Sequence, residues 1–483
     1  MQTRRDQVQA YRFAQARMQS ALLVADPDRP EPPLRRAGVS TFAGLMVAVL
    51  VLAGFGIYGV LKKGGKQGWA EEKTIIVEKE TGTRYIFDPT DGALHPVLNY
   101  TSARLILDSA EVHVEHFSHA SLAAAPHGTT RGIPGLPDGL PGSEDLVDGP
   151  WTVCSGSTAG PTSLSLSVGA ARPPDEAVPA DRAVVVRVPD GTHYLLWRNT
   201  RLRMPDAKSA MIAFGYTDPL PVSPTWINTV PPGPDLEVPA VAGSGGPAAY
   251  QVDGRQVIIG QLFDSDLGSG DGHRYYLATQ SGLVAVPETV KKLNDVSDPI
   301  NQAGAIRVSP AAINEAPLSD AELVGAGFPG EVRDIRELHV DKQAQGAMAL
   351  CSGYRSSTEN TTSTTVSVAS AASVPTGGAE GRTVDGVPVR VFIPSGKAAV
   401  VRNLPHAGQP GEAAYLVTDQ GAKYPVPPAQ GSAAHVLEIL GYGAVQPVPV
   451  PDSILQLLPS GPALEQSAAN VDVPVRGPEG APT

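Results

Sequence analysis

The stretch that decides the architecture is AGVSTFAGLMVAVLVLAGFGIYGVL, residues 37–61, which contains no charged side chain. A bilayer core of about 30 Å needs about 20 apolar residues in a helix, so this stretch is long enough to span it. A secretory signal peptide is the alternative, but its apolar run is about 7–15 residues, and Gly68-Trp69-Ala70 is a poor cleavage site. The sequence therefore predicts a retained single-pass anchor between a short tail and a large domain. The flanking cations are Arg35, Arg36, Lys62, Lys63 and Lys66.

The remainder of the chain has the composition of a sheet-rich protein with many turns. Its 483 residues include 51 Gly and 46 Pro, and only 5% are aromatic, which favours short strands over a helical bundle. The net charge is −12, with the acidic excess beyond the span, and this argues against nucleic acid as a partner. Cations flank both ends of the span, so the positive-inside rule does not fix its orientation.

The chain has two cysteines, Cys154 and Cys351, both in the large domain. Two cysteines alone in an exported domain favour a disulfide, which in the chain-entropy model contributes about 4–5 kcal/mol for so long a loop. A pair of buried free thiols is the alternative, and mass spectrometry of the intact, unreduced protein distinguishes the two. A disulfide supports an orientation with the N-terminus inside the cell and the large domain outside.

Residues 3–23 have the pattern of an amphipathic helix. Thr3 can cap it, with Asp6 at the capping-box position, and the prolines of residues 26–33 break the helix before the span. An apolar stripe at helical spacing predicts docking on a partner protein or, alternatively, on the membrane surface. The stripe consists of Val8, Tyr11, Ala14, Met18 and Leu22.

Four divergent copies of one unit recur in the large domain, each with a glycine followed three residues later by a tyrosine. We expect the glycine to form a hairpin turn and the tyrosine to begin the next strand, pointing inward. A helix such as residues 431–440 would cover one face of each sheet. Chance similarity in a chain rich in Gly and Pro is the alternative. The pairs are Gly82 with Tyr85, Gly191 with Tyr194, Gly272 with Tyr275, and Gly421 with Tyr424.

The segments between the copies have alternating or β-branched residues, which predicts one central β domain assembled from distant parts of the chain. The last residues are rich in proline, which predicts a disordered tail. The predicted boundaries are 1–36 for the N-terminal helix and linker, 37–61 for the span, 74–147, 180–238, 271–325 and 413–465 for the four repeats, 148–178, 248–266 and 331–412 for the core segments, and 466–483 for the tail.

The sequence contains no motif that predicts catalysis, a cofactor or a metal. The text nearest to a phosphate-binding loop is Ser395-Gly396-Lys397-Ala398, which lacks the first glycine and the metal-binding hydroxyl. Asp264 and Asp266 precede a glycine-rich run that resembles a calcium loop, but the closing glutamate is missing, and a polar hairpin loop fits better. A histidine cluster on a predicted strand is interpreted as a solvated sheet edge. Its members are His113, Glu115, His116 and His119.

Taken in order, several short motifs resemble the EccB family, the single-span membrane component of actinobacterial type VII (ESX) secretion systems. The match covers essentially the whole chain and continues to the second cysteine, Cys351. The histidine-bearing strand and the Ser/Thr-rich segment near Cys351 are interpreted as local elaborations. The residues that carry the resemblance are Arg5-Asp6-Gln7-Val8-Gln9-Ala10-Tyr11-Arg12-Phe13, His95-Pro96-Val97-Leu98-Asn99, Ser102-Ala103-Arg104-Leu105, Gly132-Ile133-Pro134-Gly135 and Trp151-Thr152-Val153-Cys154.

This resemblance implies an α+β fold: a cytoplasmic tail, one transmembrane helix and an elongated periplasmic domain. That domain has a central β core joined by a disulfide and four α/β repeats. The resemblance also implies assembly, as a homo-oligomer, with the motor ATPase EccC and with EccD and EccE in a membrane complex. The N-terminal helix would contact those partners.

The leading hypothesis is therefore a structural and assembly subunit of a secretion complex in the cell membrane. The first alternative is an ATP-hydrolysing subunit with a nonstandard nucleotide site, because some family members are described as ATPases. The second is a peptidoglycan-binding module, because the repeats of the family resemble cell-wall-binding modules of phage lysins.

Overall fold

The computed structural model describes residues 3–25, 33–61, 68–157, 161–169, 176–216, 218–266, 268, 272–330, 336–337, 348–356, 362–370, 374, 378–406, 408–427 and 433–473. Two helices come first, α1 (Arg4–Val24) and α2 (Pro33–Leu61). Within α2, the stretch Gly38–Tyr58 is long and apolar enough to cross a membrane, and none of it is buried. The predicted capping box is present, because the Thr3 backbone N–H donates to Asp6 Oδ2 at 3.0 Å.

Repeat 1 is a four-stranded sheet with a helix on one face. Its elements are β1 (Thr74–Glu78), β2 (Arg84–Asp88), β3 (Ala93–Pro96), α3 (Tyr100–Leu107), β4 (His113–Phe117) and α4 (His119–Leu122). The side chain of Asn99 caps α3 by accepting from the Ser102 N–H at 2.8 Å. β4 returns parallel to β1, so the sheet order is β3-β2-β1-β4.

Central strands and repeat 2 follow. The central strands are β5 (Trp151–Ser157), β6 (Pro161–Val168) and β7 (Glu176–Ala177). Repeat 2 consists of β8 (Arg182–Arg187), β9 (His193–Trp197), β10 (Thr200–Met204), α5 (Ala207–Phe214), β11 (Leu220–Pro221) and α6 (Pro224–Ile227). The side chain of Asp206 caps α5 by accepting from the Ser209 N–H at 3.1 Å.

A hairpin and repeat 3 come next, before further central strands. The hairpin is β12 (Pro247–Val252) and β13 (Arg255–Ile258). Repeat 3 consists of β14 (Leu262–Asp266), β15 (His273–Ala278), β16 (Leu283–Val286), α7 (Glu288–Ser297), β17 (Ile306–Val308) and α8 (Pro310–Glu315). The later strands are β18 (Arg336–Glu337), β19 (Met348–Ser356), β20 (Thr362–Ser370), β21 (Ala379–Val384) and β22 (Val387–Phe392).

Repeat 4 closes the domain. It consists of β23 (Ala398–Leu404), β24 (Ala414–Thr418), β25 (Lys423–Val426), α9 (Ala433–Ile439), β26 (Val448–Pro451) and α10 (Asp452–Leu455), and is followed by α11 (Gln466–Ala469). All four repeats share one topology, in which strands three, two, one and four lie side by side and strand four runs parallel to strand one. The helix between strands three and four makes the crossover that a parallel pair requires.

Each repeat adds a short segment along the outer edge of its third strand. A proline carbonyl accepts a hydrogen bond from the N–H of one residue in strand three. The N–H of the residue two positions after the proline then donates to the carbonyl of that same strand residue. In repeat 1, Pro126 and Gly128 bond to Leu94 in this way, at 2.8 and 2.9 Å. The segment satisfies backbone groups that a bare edge would leave open. The later sets are Pro231 and Gly233 around Arg201, Pro317 and Ser319 around Leu283, and Pro459 and Gly461 around Lys423.

The central sheet has seven strands in the order β21-β22-β6-β5-β19-β20-β7. One face is apolar and carries Trp151, Val153 and Leu350, whereas the other carries Cys154 and Cys351. The two cysteines form a disulfide between directly opposite positions of β5 and β19. Segments of the chain almost 200 residues apart are thereby joined at the centre of the sheet.

Contacts between the parts follow a line: repeat 1, repeat 4, central sheet, repeat 2, repeat 3. Val186 of repeat 2 and Val401 of repeat 4 lie in one cluster with the apolar face of the sheet. Repeat 1 packs its α3 against α9, where Arg104 Nε donates to the Ile439 carbonyl at 2.9 Å. Repeat 3 packs its α7 against α5, and Leu293 shares a cluster with Ala210.

The two outer repeats are joined to the inner repeats in the same way. After repeat 1, the chain crosses to repeat 4, where Leu146 pairs parallel to Ala398 at the start of β23. After repeat 3, Glu337 of β18 pairs parallel to Ala183 at the start of β8. Repeats 1 and 4 are therefore arranged like repeats 3 and 2, which relates the two halves of the domain by an internal pseudo-symmetry.

Three predicted segments differ from the structure. Residues 248–266, predicted as a core segment, lie outside the central sheet, because among the described residues β12 and β13 pair only with each other and β14 is the first strand of repeat 3. The core segment 331–412 includes β23, which belongs to repeat 4. Residues 466–483 were predicted to be disordered, yet α11 packs on α3, and the Val473 N–H donates to the Thr130 carbonyl at 2.8 Å; residues 474–483 lie outside the described residues.

Candidate functional site

The stripe on α1 is exposed to solvent. The exposed fractions are 70% for Tyr11, 63% for Met18 and 80% for Leu22, and Val8 and Ala14 are also exposed. The hydrogen bonds from Thr3 lower the pKa of Asp6 at the helix start, where a carboxylate also complements the helix dipole. The described chain therefore presents this apolar face without covering it.

The four predicted glycines all lie in hairpin turns, but not in the same turn of the repeat. Gly82, Gly191 and Gly272 lie between strands one and two with φ of +74°, +90° and +79°. Gly421, with φ of +76°, lies between strands two and three. The fourth copy was therefore aligned one strand too late, because its first hairpin has a longer loop, from Leu404 to Ala414, than the other repeats have.

One tyrosine occupies an equivalent position in each repeat. In repeat 1, Tyr85 lies two residues before Phe87, which pairs with the edge-bonded Leu94. In repeat 3 this position is held by Tyr276 and not by the predicted Tyr275. In repeat 4 it is held by Tyr415 and not by the predicted Tyr424. Tyr85 and Tyr194 are half-buried rather than fully inward. The equivalent set is Tyr85, Tyr194, Tyr276 and Tyr415.

The two replaced tyrosines lie on the helix side of their sheets. Tyr275 has the Lys291 ammonium of α7 at 6.0 Å from its ring, and Tyr424 is 3% exposed in the cluster that contains Val436 of α9. In repeat 3 the prediction was off by one position, and because successive strand residues face opposite sides, this shift exchanges the two faces. The adjacent tyrosines of repeat 3 hid this shift in the sequence.

The inner repeats share a cation that sequence reasoning missed. In repeat 2, the Arg201 guanidinium lies 5.8 Å from the Tyr194 ring and donates to the Ile227 carbonyl at 2.9 Å. In repeat 4, the Lys423 ammonium lies 5.4 Å from the Tyr415 ring and donates to the Leu455 carbonyl at 2.7 Å. Both acceptors are the last residues of short helices that pack on the central sheet, and burial lowers the pKa of both cations.

Each cation holds the short helix of its own repeat that packs on the central sheet, and the outer repeats have leucine instead, at Leu94 and Leu283. The available signal was a basic residue at the first or second position of strand three in the second and fourth copies, Lys423 in β25 and Arg201 in β10. The position therefore distinguishes repeats that pack on the central sheet from repeats that do not.

A group of charged side chains fastens the C-terminal segment to repeat 1. His95, 2% exposed, has Nδ1 at 2.8 Å from the Thr129 carbonyl oxygen and Nε2 at 2.8 Å from Asp91 Oδ2. Arg131 donates to Asp88 Oδ2 at 2.7 Å, and its Nε lies 3.6 Å from Asp472 Oδ1. Hydrogen bonds from Thr90 and then Arg131 lower the pKa of the Asp88 carboxyl to about 2.

Among the described residues, Asp88, Asp91 and His95 are the group whose ligand atoms come close enough together to hold a metal ion. The arrangement does not fit one, because the Arg131 guanidinium already neutralises Asp88 and both nitrogens of His95 already have partners. We assign the group to the attachment of the C-terminal segment.

The remaining motifs found in the sequence have structural places. The histidine-bearing strand is β4, the fourth strand of repeat 1, so its interpretation as a local elaboration is wrong. Asp264 is buried in β14, with its Oδ1 at 2.7 Å from His273 Nδ1 of β15. Part of the glycine-rich loop after Asp266 lies outside the described residues.

The comparisons with known proteins agree on one family. A family model described as "Type VII secretion system ESX-1, transport TM domain B" matches residues 1–475. The chain belongs to the EccB family. It is 27% identical to the ESX-3 secretion system ATPase EccB3 of Mycolicibacterium smegmatis, over 97% of this chain and 90% of that protein. It is 26% identical to the ESX-5 secretion system ATPase EccB5 of Mycobacterium tuberculosis, over 97% of this chain and 93% of that protein.

Solved structures share the fold. A chain of an intact ESX-5 inner membrane complex superposes with a TM-score of 0.67 at 23% identity, covering 100% of this chain and 98% of that one. A chain of the EccB3 dimer from the ESX-3 core complex superposes with a TM-score of 0.66 at 24% identity, covering 82% of this chain and 99% of that one. The predicted α+β fold with one membrane helix and a large sheet-rich domain is confirmed. As an EccB protein, the chain is a structural subunit of a type VII secretion membrane complex.

Proposed function

We propose that this EccB protein joins the two sides of the secretion complex: α1 binds cytoplasmic partners, and the large domain forms a non-catalytic periplasmic body. The partners that the family resemblance indicates are EccC, EccD and EccE. A second copy is a further partner, supported by the EccB3 dimer described for a relative. The observation that carries the proposal is the uncovered stripe on α1.

Burying large apolar side chains such as Tyr11, Met18 and Leu22 in an interface stabilises it by about 1.5–3 kcal/mol each. An aspartate placed in such an interface must be desolvated without a partner, which costs several kcal/mol. The same aspartate on the free helix remains in water. Substitution in the stripe therefore separates binding from folding.

The test is co-purification of partner chains with the detergent-solubilised protein. We expect Tyr11→Asp and Met18→Asp to lower the yield of EccC, EccD and EccE at least tenfold without changing the melting of the large domain. Gln9→Asp is the matched control, because Gln9 is exposed on the opposite side of α1 and the charge change is the same. Equal recovery with the stripe variants and the control would refute the role of the stripe.

We further propose that the N-terminus is cytoplasmic and the large domain periplasmic. The buried disulfide between Cys154 and Cys351 supports this, since such bonds persist in oxidising compartments. Because both native cysteines are paired, Gln9→Cys introduces a single free thiol. A membrane-impermeant maleimide should label it only after permeabilisation, whereas Asp320→Cys in the exposed surface of repeat 3 should be labelled on intact cells. The reverse pattern would refute the orientation.

ATP hydrolysis is a second candidate, because the relatives are named ATPases. In the segment nearest to a phosphate-binding loop, the Gly396 N–H donates to the Asp419 carboxylate at 2.8 Å, and Lys397 Nζ donates to Asp145 Oδ1 at 2.7 Å. Both donors are thus taken by carboxylates, which repel a phosphate. ATP hydrolysis by the purified full-length protein that Lys397→Ala abolishes would favour an enzymatic function. An equal rate of ATP hydrolysis in the variant would argue against it.

A contact between the repeats and peptidoglycan is the third candidate, and it rests on the resemblance of the repeats to wall-binding modules. Pelleting of the protein with isolated peptidoglycan, compared with pelleting in detergent alone, tests it. Equal amounts in both pellets would exclude a wall contact.

A further inference from the structure

His95 in β3 is buried against the edge segment of repeat 1, residues 126–131, which runs along the outer side of β3. There the Arg131 N–H donates to the Pro96 carbonyl at 2.9 Å. His95 is 2% exposed, and a Cβ atom at Gly128 would collide with its ring, so glycine is needed for this close approach. Both ring nitrogens must therefore find their hydrogen-bond partners within the protein.

Both partners of this ring are hydrogen-bond acceptors. Nδ1 lies 2.8 Å from the Thr129 carbonyl oxygen, and Nε2 lies 2.8 Å from Asp91 Oδ2. Hydrogen bonds from His95 and then from the Ala93 N–H lower the pKa of the Asp91 carboxyl, so this group is ionised at neutral pH and has no proton to donate. A neutral imidazole has a single N–H and can serve only one of the two acceptors. Both bonds form only when the ring carries two protons and a positive charge.

The charged groups beside the ring favour one more cation. Three carboxylates surround the Arg131 guanidinium, with nearest atoms at 2.7, 3.6 and 4.0 Å, so a single arginine faces an excess of negative charge. A protonated His95 reduces this excess through its contact with Asp91. On the same face of the sheet, the Arg104 side chain of α3 donates to the Ile439 carbonyl instead. The three carboxylates belong to Asp88, Asp91 and Asp472.

The edge segment also carries the C-terminal segment. Thr129, whose carbonyl meets the His95 ring, donates its hydroxyl to Asp472 Oδ1 at 2.6 Å. The Val473 N–H donates to the Thr130 carbonyl at 2.8 Å. Just before these residues, α11 packs on α3. The edge segment thus lies between β3 and the end of the chain, and loosening it also loosens the contact that the C-terminal segment makes with repeat 1.

We propose that His95 is a pH-dependent latch, whose doubly protonated ring holds the edge segment, and with it the C-terminal segment, on repeat 1. The direction follows from the hydrogen bonds. When the pH rises and the ring loses one proton, a nitrogen lone pair faces either the Thr129 carbonyl oxygen or the Asp91 carboxylate. A buried acceptor without a donor destabilises the contact, so the segment separates from β3 more often. The latch is closed in acidic medium and opens as the medium becomes alkaline.

The first test is the protonation of the ring, measured by the nitrogen-15 NMR shifts of the histidine-labelled full-length protein in detergent. The signals of His95 are assigned by their loss in His95→Gln. Burial by itself favours a neutral ring, whereas we expect both nitrogens of His95 to be protonated at pH 6. A ring with one protonated nitrogen at this pH would overturn the proposal. This measurement uses the wild-type protein, so it decides even if the variant does not fold.

The second test is amide hydrogen exchange of the full-length protein, followed by mass spectrometry from pH 6 to pH 8.5 and corrected for the intrinsic pH dependence of exchange. We expect peptides covering residues 126–131 and 466–473 to lose protection at least tenfold over this range. His95→Gln should show the low protection at every pH, because its side chain cannot donate to both acceptors. His116→Gln, at an exposed histidine of β4 in the same repeat, is the matched control and should keep the wild-type profile.

Protection that is constant with pH in the wild type would overturn the proposal, and so would a profile that is the same in the wild type and in His95→Gln. Neither measurement depends on whether α1 binds cytoplasmic partners.

Discussion

Cys154 on β5 and Cys351 on β19 lie directly opposite each other, with their Cα atoms 4.1 Å apart. The loop that their disulfide closes contains repeats 2 and 3 entirely, whereas repeats 1 and 4 lie outside it. Both residues are buried, with exposed fractions of 2% and 0%. The bond therefore ties the two halves of the domain together in the middle of the sheet that carries both inner repeats.

Removing this bond is expected to destabilise the domain without changing its contacts. For a loop of this length, the chain-entropy model gives a loss of about 5 kcal/mol in the free energy of unfolding for Cys154→Ser with Cys351→Ser. Chemical denaturation of the oxidised protein and the double variant measures it. The control is the native protein unfolded in the presence of reductant. Its free energy of unfolding should approach that of the double variant. Equal midpoints for all three would contradict the prediction.

The cation of repeat 4 is expected to stabilise the packing of α10 on the sheet of its own repeat. Lys423→Met keeps the aliphatic stem but leaves the Leu455 carbonyl without its donor, a loss of about 1–3 kcal/mol. Arg203→Met, which removes an exposed ion pair with Asp235 from strand three of repeat 2, is the control and should change stability little. Thermal unfolding that shifts equally in both variants would show that Lys423 has no special role.

Two turn glycines are expected to differ in their tolerance of alanine. Both have left-handed backbone, so alanine adds about 1 kcal/mol of strain at either position. At Gly421 the new Cβ would also approach Ala379 Cβ to 2.6 Å, whereas at Gly191 nothing lies within 4 Å. Gly421→Ala should therefore lower the melting temperature clearly more than Gly191→Ala. Equal shifts would mean that the contact between repeat 4 and β21 relaxes freely.

The Asp88 carboxylate is expected to stabilise repeat 1 in a pH-dependent manner. Its pKa is lowered from 3.8 to about 2, and its side chain is only 17% exposed beside Arg131. A depressed pKa stabilises the folded state above pH 4 by about 2 kcal/mol, and this contribution is lost as the pH falls from about 4 to 2. Asp88→Asn should therefore lower the free energy of unfolding at pH 7, and the loss at pH 3 should be roughly half as large.

The control for this variant is Asp253→Asn, at an exposed left-handed turn position that asparagine also accepts. Urea unfolding at pH 7, 5 and 3 measures both. A loss for Asp88→Asn that is the same at all three pH values would contradict an electrostatic origin.

Much of the fold followed from local patterns in the sequence. The uncharged run at residues 37–61 identifies the membrane helix, and Thr3 with Asp6 identifies the start of α1. Alternating residues around Cys154 and Cys351 predict strands of a shared sheet, because a buried face imposes period two. These features depend on neighbours within a few residues of one another.

Features that depend on pairing between distant segments were harder to predict. Residues 248–266 look like core strands by composition, but composition does not say which strand is the partner. Tyr275 and Tyr276 both fit a strand, and only the register of the hairpin decides which of them is equivalent to Tyr85.

The pairing of α3 with α9 has a consequence for biogenesis. Repeat 1 is synthesised first, but the helix that covers its α3 belongs to repeat 4, the last repeat to emerge. Contacts between the ends of a chain form slowly, since a large loop must close first. The first repeat must therefore wait, with an apolar surface exposed, until translation is nearly complete. Until α9 is synthesised, this apolar surface of repeat 1 is free to aggregate with other exposed apolar surfaces.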